Sequence, residues 1–304
     1  FHPRMEIDLG LQKRMVLTSY PLMINHLLAT LFFKVAVVLL KWLIEDPRVV
    51  GWYSTAYKYI DAVQVLPAYF TMAIFPLMAR YASTNKSSLL KAYRLAIKLL
   101  LIVAVPGALL GWALAHELIA ILGGSQYLPY AANILRVMIW YMPFGFINSV
   151  TQYVLIALDQ QRFLTRAFVI GVAFNVIANL ILIPRIGYMA SAYVAIASEF
   201  VLLIPFCVGI RRHLAALPWL RLGLKPILAA LPMAILLILL PANKMLVSIA
   251  VGLVCYGVSL SLLRVFNVEE KDAVRRAVPL GRIRSWVADL SAHHVAQEGI
   301  AKTE

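Results

Sequence analysis

The sequence predicts an all-α polytopic membrane protein with eight transmembrane helices, and three observations lead there. Of 304 residues, 62% are hydrophobic and 14% charged, against about 45–50% apolar and 25% charged in soluble domains. The mean hydropathy is +0.83. Apolar runs of about 20 residues recur along the chain, each long enough to cross a hydrocarbon core near 30 Å thick. A soluble fold is therefore excluded. Backbone in contact with lipid must satisfy its own hydrogen bonds, which makes the runs helices. A barrel would alternate over about 10 residues, and these runs are apolar for twice that.

Taken in order, apolar runs bounded by charges and turn residues place spans at Met15 to Leu40, Val50 to Ala79, Ala92 to Ala115, Ala131 to Leu158, Phe163 to Ile183, Tyr188 to Ile210, Leu222 to Leu240 and Met245 to Leu263. Between the third and fourth, HELIAILGGSQYLP joins a short amphipathic piece to the Gly123-Gly124 break, which reads as a surface helix turning back at the outer interface. The expected organisation is a membrane-proximal segment over 1–14, a six-helix bundle over 15–210, two further helices over 211–265 and a basic tail over 266–304.

The net charge of +14 would suggest nucleic acid in a soluble protein. Here the location of the charges argues otherwise, and no nucleic-acid partner is expected. With the first terminus in the cytoplasm and spans alternating, twenty-one Lys and Arg fall on the cytoplasmic side. Only Lys41, Arg48, Arg185 and Lys244 fall outside, and Lys34, Lys58 and Arg136 lie within spans. This positive-inside asymmetry puts both termini in the cytoplasm of a cell-membrane protein whose basic loops face anionic headgroups. The chain opens at Phe1 in an already charged stretch, FHPRMEIDLGLQKR, so an upstream part is expected. Cys207 and Cys255 sit in apolar runs and are expected to be small buried hydrophobes without a disulfide. No zinc-protease, nucleophile-elbow, phosphate-loop or dinucleotide signature is present, so neither an enzyme nor a cofactor or metal site is expected.

Polar residues inside the spans carry the functional reading. Pro67, Pro76, Pro106, Pro143, Pro205, Pro226 and Pro232 interrupt span hydrogen bonding and supply kinks of the kind transporters bend at. Tyr53, Tyr57, Asp61 and Gln64 recur on one helical face, and Lys58 lies three residues before Asp61, within pairing reach. Counted from Val50 at 1.5 Å per residue, Lys58 is about 12 Å and Asp61 about 16 Å deep. A charge there costs about 2.5–3.5 kcal/mol, so the two either form a structural pair or line a hydrated cavity. Lys34 and Arg136 either snorkel to the outer surface or join that cavity. Asn148 with Gln152 and Asn175 with Asn179 are i, i+4 amide pairs that stitch helices or bind substrate. Glu199, a lone carboxylate, is either a proton- or cation-coupling site or a hydrogen-bonded neutral acid.

Two stretches, VGWYSTAYKYIDAVQVLPAYFTMAIFPLMARY and YVLIALDQQRFLTRAFVIGVAFNVIANLILIPRIGYMASAYVAIASE, resemble the polysaccharide and O-antigen flippases of the multidrug/oligosaccharidyl-lipid/polysaccharide exporter superfamily. The resemblance covers Val50 to Glu199. It implies the second six-helix bundle of such an exporter plus two extra helices, with the first bundle lacking and expected as a partner. It also implies translocation of undecaprenyl-diphosphate-linked oligosaccharide from the cytoplasmic to the outer leaflet by alternating access. Lys34, Lys58 and Arg136 then become candidates to meet the diphosphate, with Tyr57, Asp61 and Gln64 lining the cavity and Glu199 a coupling site. The rivals are a cation-coupled multidrug antiporter of the same superfamily, a membrane-embedded glycosyltransferase or polymer ligase, and a non-transporting scaffold.

The charge asymmetry predicts a topology that thiol labelling checks. In intact cells, single cysteines placed beside Lys86 or Arg212 stay shielded from an impermeant reagent, and one beside Lys244 reacts. Labelling beside Lys86 would overturn the assignment.

Overall fold

A computed structural model describes residues 8–239, 245–267 and 270–272. Its first three helices begin where short polar side chains receive free backbone N–H groups, a signal that hydropathy does not weigh. The Asp8 carboxylate accepts from Gly10 N at 2.8 Å and Leu11 N at 3.0 Å. Helix α1 accordingly runs Leu9–Leu43, six residues earlier than its apolar run. Asp46 caps α2, Pro47–Thr84, with Pro47 in its first turn. The Arg48 guanidinium also grips this carboxylate and holds its pKa below the ordinary range. Asn85 accepts from Ser87 N and Ser88 N and starts α3, Lys86–Ala113, directly after α2.

The expected surface helix is α4, Ala115–Leu122, fixed to α2 by the Tyr59 hydroxyl, which donates to the Leu118 carbonyl. Gly124 then takes φ +93°, a left-handed conformation that favours glycine and turns the chain back.

The fourth expected span corrects the sequence reading, because Ala131 to Leu158 is not one helix. It is α5, Tyr130–Met138, a 3-10 turn at Ile139–Tyr141, and α6, Met142–Ala157. Pro143 has no N–H to give the Ile139 carbonyl and suits the first turn of a new helix. Then follow α7, Gln161–Ile186, α8, Met189–His213, α9, Trp219–Leu239, and α10, Met245–Leu262. Six of the described helices, α1–α3 and α7–α9, are long and apolar enough to cross a membrane. The remaining two expected spans correspond to the broken α5–α6 and to the shorter α10.

Residues up to Leu260 form one unit, and those from Ser261 a second. The expected tail over 266–304 lies almost wholly outside the described residues.

Within the first unit, α1 packs on α7, α7 on α8, and α6 against α2, α3 and α8. The fully buried side chains that fill it include Tyr53, Tyr93, Phe146, Phe168 and Phe206. A separate apolar cluster joins Val105 and Leu109 of α3 to Ala229, Ala230, Met233 and Leu237 of α9 and Tyr256 of α10. Polar side chains cross-link the helices. Tyr93 and Thr151 hydroxyls meet at 2.7 Å between α3 and α6. Asn175 donates to Ser198 at 3.0 Å, and Ser191 donates to Asn179 at 2.8 Å, between α7 and α8. Of the four amides singled out above, Asn175 and Asn179 are stitches. Both cysteines are free, as expected, but only half-buried.

The 3-10 turn seats on α3 at two glycines. A Cβ on Gly111 would lie 2.6 Å from Ile139 Cγ1, while one on Gly107 would meet only the mobile Met142 Cε, at 2.7 Å. Ile139 is branched and buried and cannot yield as a methionine end does. Gly111→Ala should therefore cost about 1–3 kcal/mol by overpacking, and Gly107→Ala much less. Thermal unfolding of the two purified variants in one detergent checks the order.

Candidate functional site

Helices α1 and α2 leave a shared outer turn at residues 44–46 and then diverge, because α1 packs along α7 while α2 packs along α6. The cleft between them is a cavity of about 340 Å³ floored by α6, α7 and α8. Its polar wall takes His26, Thr30 and Lys34 from α1, Tyr57, Asp61 and Gln64 from α2, and Asn148, Ser149 and Gln152 from α6, with Glu199 of α8 behind them. Phe33, Phe168, Leu202 and Phe206 make an apolar wall. Gly145 lets α2 approach α6 closely here, since a Cβ on it would stand 2.8 Å from the Tyr141 ring and 3.4 Å from Gln64 Nε2.

Asp61 pairs across the cleft. Both of its oxygens accept from Lys34 Nζ, at 2.8 and 3.1 Å, and the ammonium lies 4.4 Å from the centre of the Tyr57 ring. The side chains are half-exposed, 51% for Lys34 and 52% for Asp61. Of the two alternatives for Lys58 and Asp61, a mutual pair is not the one present, since Asp61 pairs with Lys34 instead. Spacing along one helix cannot anticipate a partner on the next, and α1 brings Lys34 closer than its own neighbour comes. Along the helices, Lys34 lies about 14 Å from the Leu43 end of α1 and Asp61 about 21 Å from Pro47 at the start of α2. Lys34 is thus well away from the outer surface, while Lys58 is exposed on α2 and Arg136 exposed on α5, neither lining this cavity.

Glu199 is 2% exposed. Asn148 Nδ2 donates to its Oε2 at 2.7 Å and to its backbone carbonyl at 2.8 Å. Glu199 Oε1, Asn148 Oδ1 and the Tyr141 hydroxyl are buried with no hydrogen-bond partner among the described residues. A second void of about 20 Å³, lined by Tyr53, Tyr57, Tyr141, Asn175 and Glu199, adjoins them. That is room for one small polar species.

Of the residues expected in the cavity, the fold brings Lys34, Tyr57, Asp61, Gln64 and Glu199 together and leaves Lys58 and Arg136 outside. The cavity wall therefore holds one lysine beside two carboxylates, where the sequence offered three intramembrane cations. His26, Thr30 and Ser149 were not anticipated. The i, i+4, i+8 spacing of His26, Thr30 and Lys34 on α1 is the signal that could have found the first two.

With this geometry in hand, residues 21–181 match the family model MatE. Curated proteins give no match. Among solved structures the chain is similar to the lipid II flippase MurJ in its inward closed conformation, with TM-score 0.72, 15% identity, and 85% of this chain on 56% of that one. It is similar to an outward-facing multidrug resistance MATE family transporter of the MOP superfamily, with TM-score 0.58, 17% identity, and 81% of this chain on 63% of that one. It is similar also to a MOP superfamily transporter from Pyrococcus furiosus Vc1, described as having a binding pocket of reverse polarity, with TM-score 0.55, 18% identity, and 72% on 53%. At these identities the likeness speaks to fold. The chain spans less than two thirds of each of these structures.

Asn148 carries a cost that its neighbour on the cavity wall does not. Asn148→Ala strips the donor from a buried carboxylate and should destabilise by about 1–3 kcal/mol. Gln152→Ala, which removes no described partner, should stay within about 0.5 kcal/mol. Thermal unfolding of the purified variants in the same detergent distinguishes them.

Proposed function

Because the matched segment is more than half of the sequence, the chain belongs to the MatE family, and from that premise we propose that it forms one half of a transporter that flips a lipid-linked oligosaccharide to the outer leaflet. The observation that carries this reading is the split character of the cleft. One wall offers amides, hydroxyls and an imidazole around a single lysine, and the other is aromatic and aliphatic. A polyhydroxylated head with an anionic linkage matches the first, and an isoprenoid tail matches the second. Charge excess does not support the reading, since Asp61 already offsets Lys34. Neutral hydrogen-bonding capacity does.

Among the described residues the cleft has no wall opposite α1 and α2. The half-exposed Lys34 and Asp61 and the exposed Lys58, costly against lipid, call for a cover. We assign that cover to an amino-terminal six-helix bundle, in line with the chain spanning 56% of the flippase it resembles. Both termini then face the cytoplasm of the cell membrane, and alternating access moves the two bundles about the cleft.

A second reading, the cation-coupled multidrug antiporter, is favoured by the two cavity carboxylates. Glu199, with a partnerless oxygen beside a void of about 20 Å³, also fits a proton- or cation-coupling role in either transporter.

Co-expression with the amino-terminal bundle should give lipid-linked oligosaccharide export that neither piece supports alone. Gln64→Leu combined with Gln152→Leu should lower that export about tenfold at unchanged protein level, the loss of two hydrogen bonds of about 0.7 kcal/mol each. Export that survives the double substitution, together with organic-cation efflux that requires Asp61 and Glu199, would replace the flippase reading with the antiporter.

A further inference from the structure

Resting on the flippase reading, we propose that Asp61 is an internal stand-in for the substrate's anionic group, and that substrate binding moves it from Lys34 to Lys58. Asp61 presents two oxygens to one ammonium at 2.8 and 3.1 Å, the same two-oxygen contact that a phosphate makes with lysine. Lys34 is the one lysine on the wall of the cleft, so an anionic head entering it competes with Asp61 for that Nζ.

The displaced carboxylate has a destination. Lys58 lies three residues earlier on the same helix, within side-chain reach, and pairs with no acid among the described residues. The pairing suggested by the sequence is then the one that an anionic head on Lys34 would bring about. Asp61 keeps a lysine partner in both pairings, so the carboxylate is never left without a counter-charge.

Two properties follow. A neutral or cationic amphiphile cannot make the exchange, because Lys34 gains nothing by leaving Asp61. A diphosphate, with more charge and more acceptor oxygens than one carboxylate, can. Since Lys34 is on α1 and Asp61 on α2, the exchange also releases a tie across the cleft, so recognition of the head and freedom of the two helices arise in one step.

The experiment measures binding of undecaprenyl diphosphate, which carries no sugar, to the 304-residue chain co-expressed with the amino-terminal bundle and held in nanodiscs, with undecaprenol as the uncharged control. Asp61→Asn should bind the diphosphate about tenfold more tightly than the unmodified chain, and adding Lys34→Gln should abolish that gain. Lys58→Gln should weaken binding about threefold when Asp61 is present and have no effect alongside Asp61→Asn. Undecaprenol binding should be the same in all variants. Asp61→Ser repeats the measurement should the asparagine variant not elute as folded protein.

If removing the carboxylate leaves diphosphate binding unchanged or weaker, while Lys34→Gln still reduces it, the stand-in is wrong and the flippase reading survives. If neither the unmodified chain nor any variant prefers the diphosphate to the alcohol, the flippase reading itself falls.

Discussion

Polar side chains inside a bilayer have no water to turn to, and in this bundle several of the buried ones find a partner on another helix. Asn148 is that partner for Glu199, tying α6 to α8 with two hydrogen bonds from one amide. Tyr93 with Thr151 and Asn175 with Ser198 do the same for α3 to α6 and α7 to α8. These contacts fix the rotation of α6 and α8 about their axes, and that rotation puts Gln152 and Leu202 on the wall of the cleft. Packing of lipid-like side chains alone would not set it, since one apolar face resembles another. The cross-links that hold the bundle and the surface that faces a ligand are thus drawn from the same residues, and Asn148 belongs to both.

The class of fold was legible because hydropathy responds to the solvent, and the solvent here is lipid. Where helices begin was not, because Asp8, Asp46 and Asn85 act by receiving backbone N–H groups, one or two residues at a time, outside the apolar runs. The break at Ile139–Tyr141 was equally hidden. Pro143 was visible, but a proline in a membrane span reads as a kink, and whether it starts a helix depends on the contact with Gly111 that only the fold supplies. At the candidate site, Tyr57, Asp61 and Gln64 share a face because α-helical periodicity makes them do so, and their spacing gave that away. The pairing of Asp61 with Lys34 is a tertiary fact, and the exposure of Lys58 and Arg136 is its counterpart. Depth from a span end ranks charges by cost, but says nothing of which side of the helix they occupy.

Evenly spread apolar residues and locally placed polar ones divide the molecule into parts that resist change and parts that tolerate it. The α7–α8 pair is joined by buried amides and hydroxyls along its length, whereas α1 and α2 meet across the cleft through a half-exposed ion pair. An exposed pair of that kind contributes little to stability, about 0.2–1 kcal/mol where it has been measured in water. The contact of α1 with α2 across the cleft is therefore the weakly held one, while α7–α8, with α1 packed on α7, is firmly held.

Helix α2 runs 38 residues without interruption from Pro47 to Thr84, which at 1.5 Å per residue is about 57 Å. A bilayer with its headgroups is only about 40–45 Å thick, so α2 is a lever longer than the medium it crosses. Held by the Tyr59 contact to α4, which lies about 38 Å from its Thr84 end, it would sweep that end through about 5 Å, close to one helical pitch, for a swing of about 8°. A displacement too small to disturb packing at the fulcrum therefore becomes, at the far end of the helix, a movement the width of a side chain.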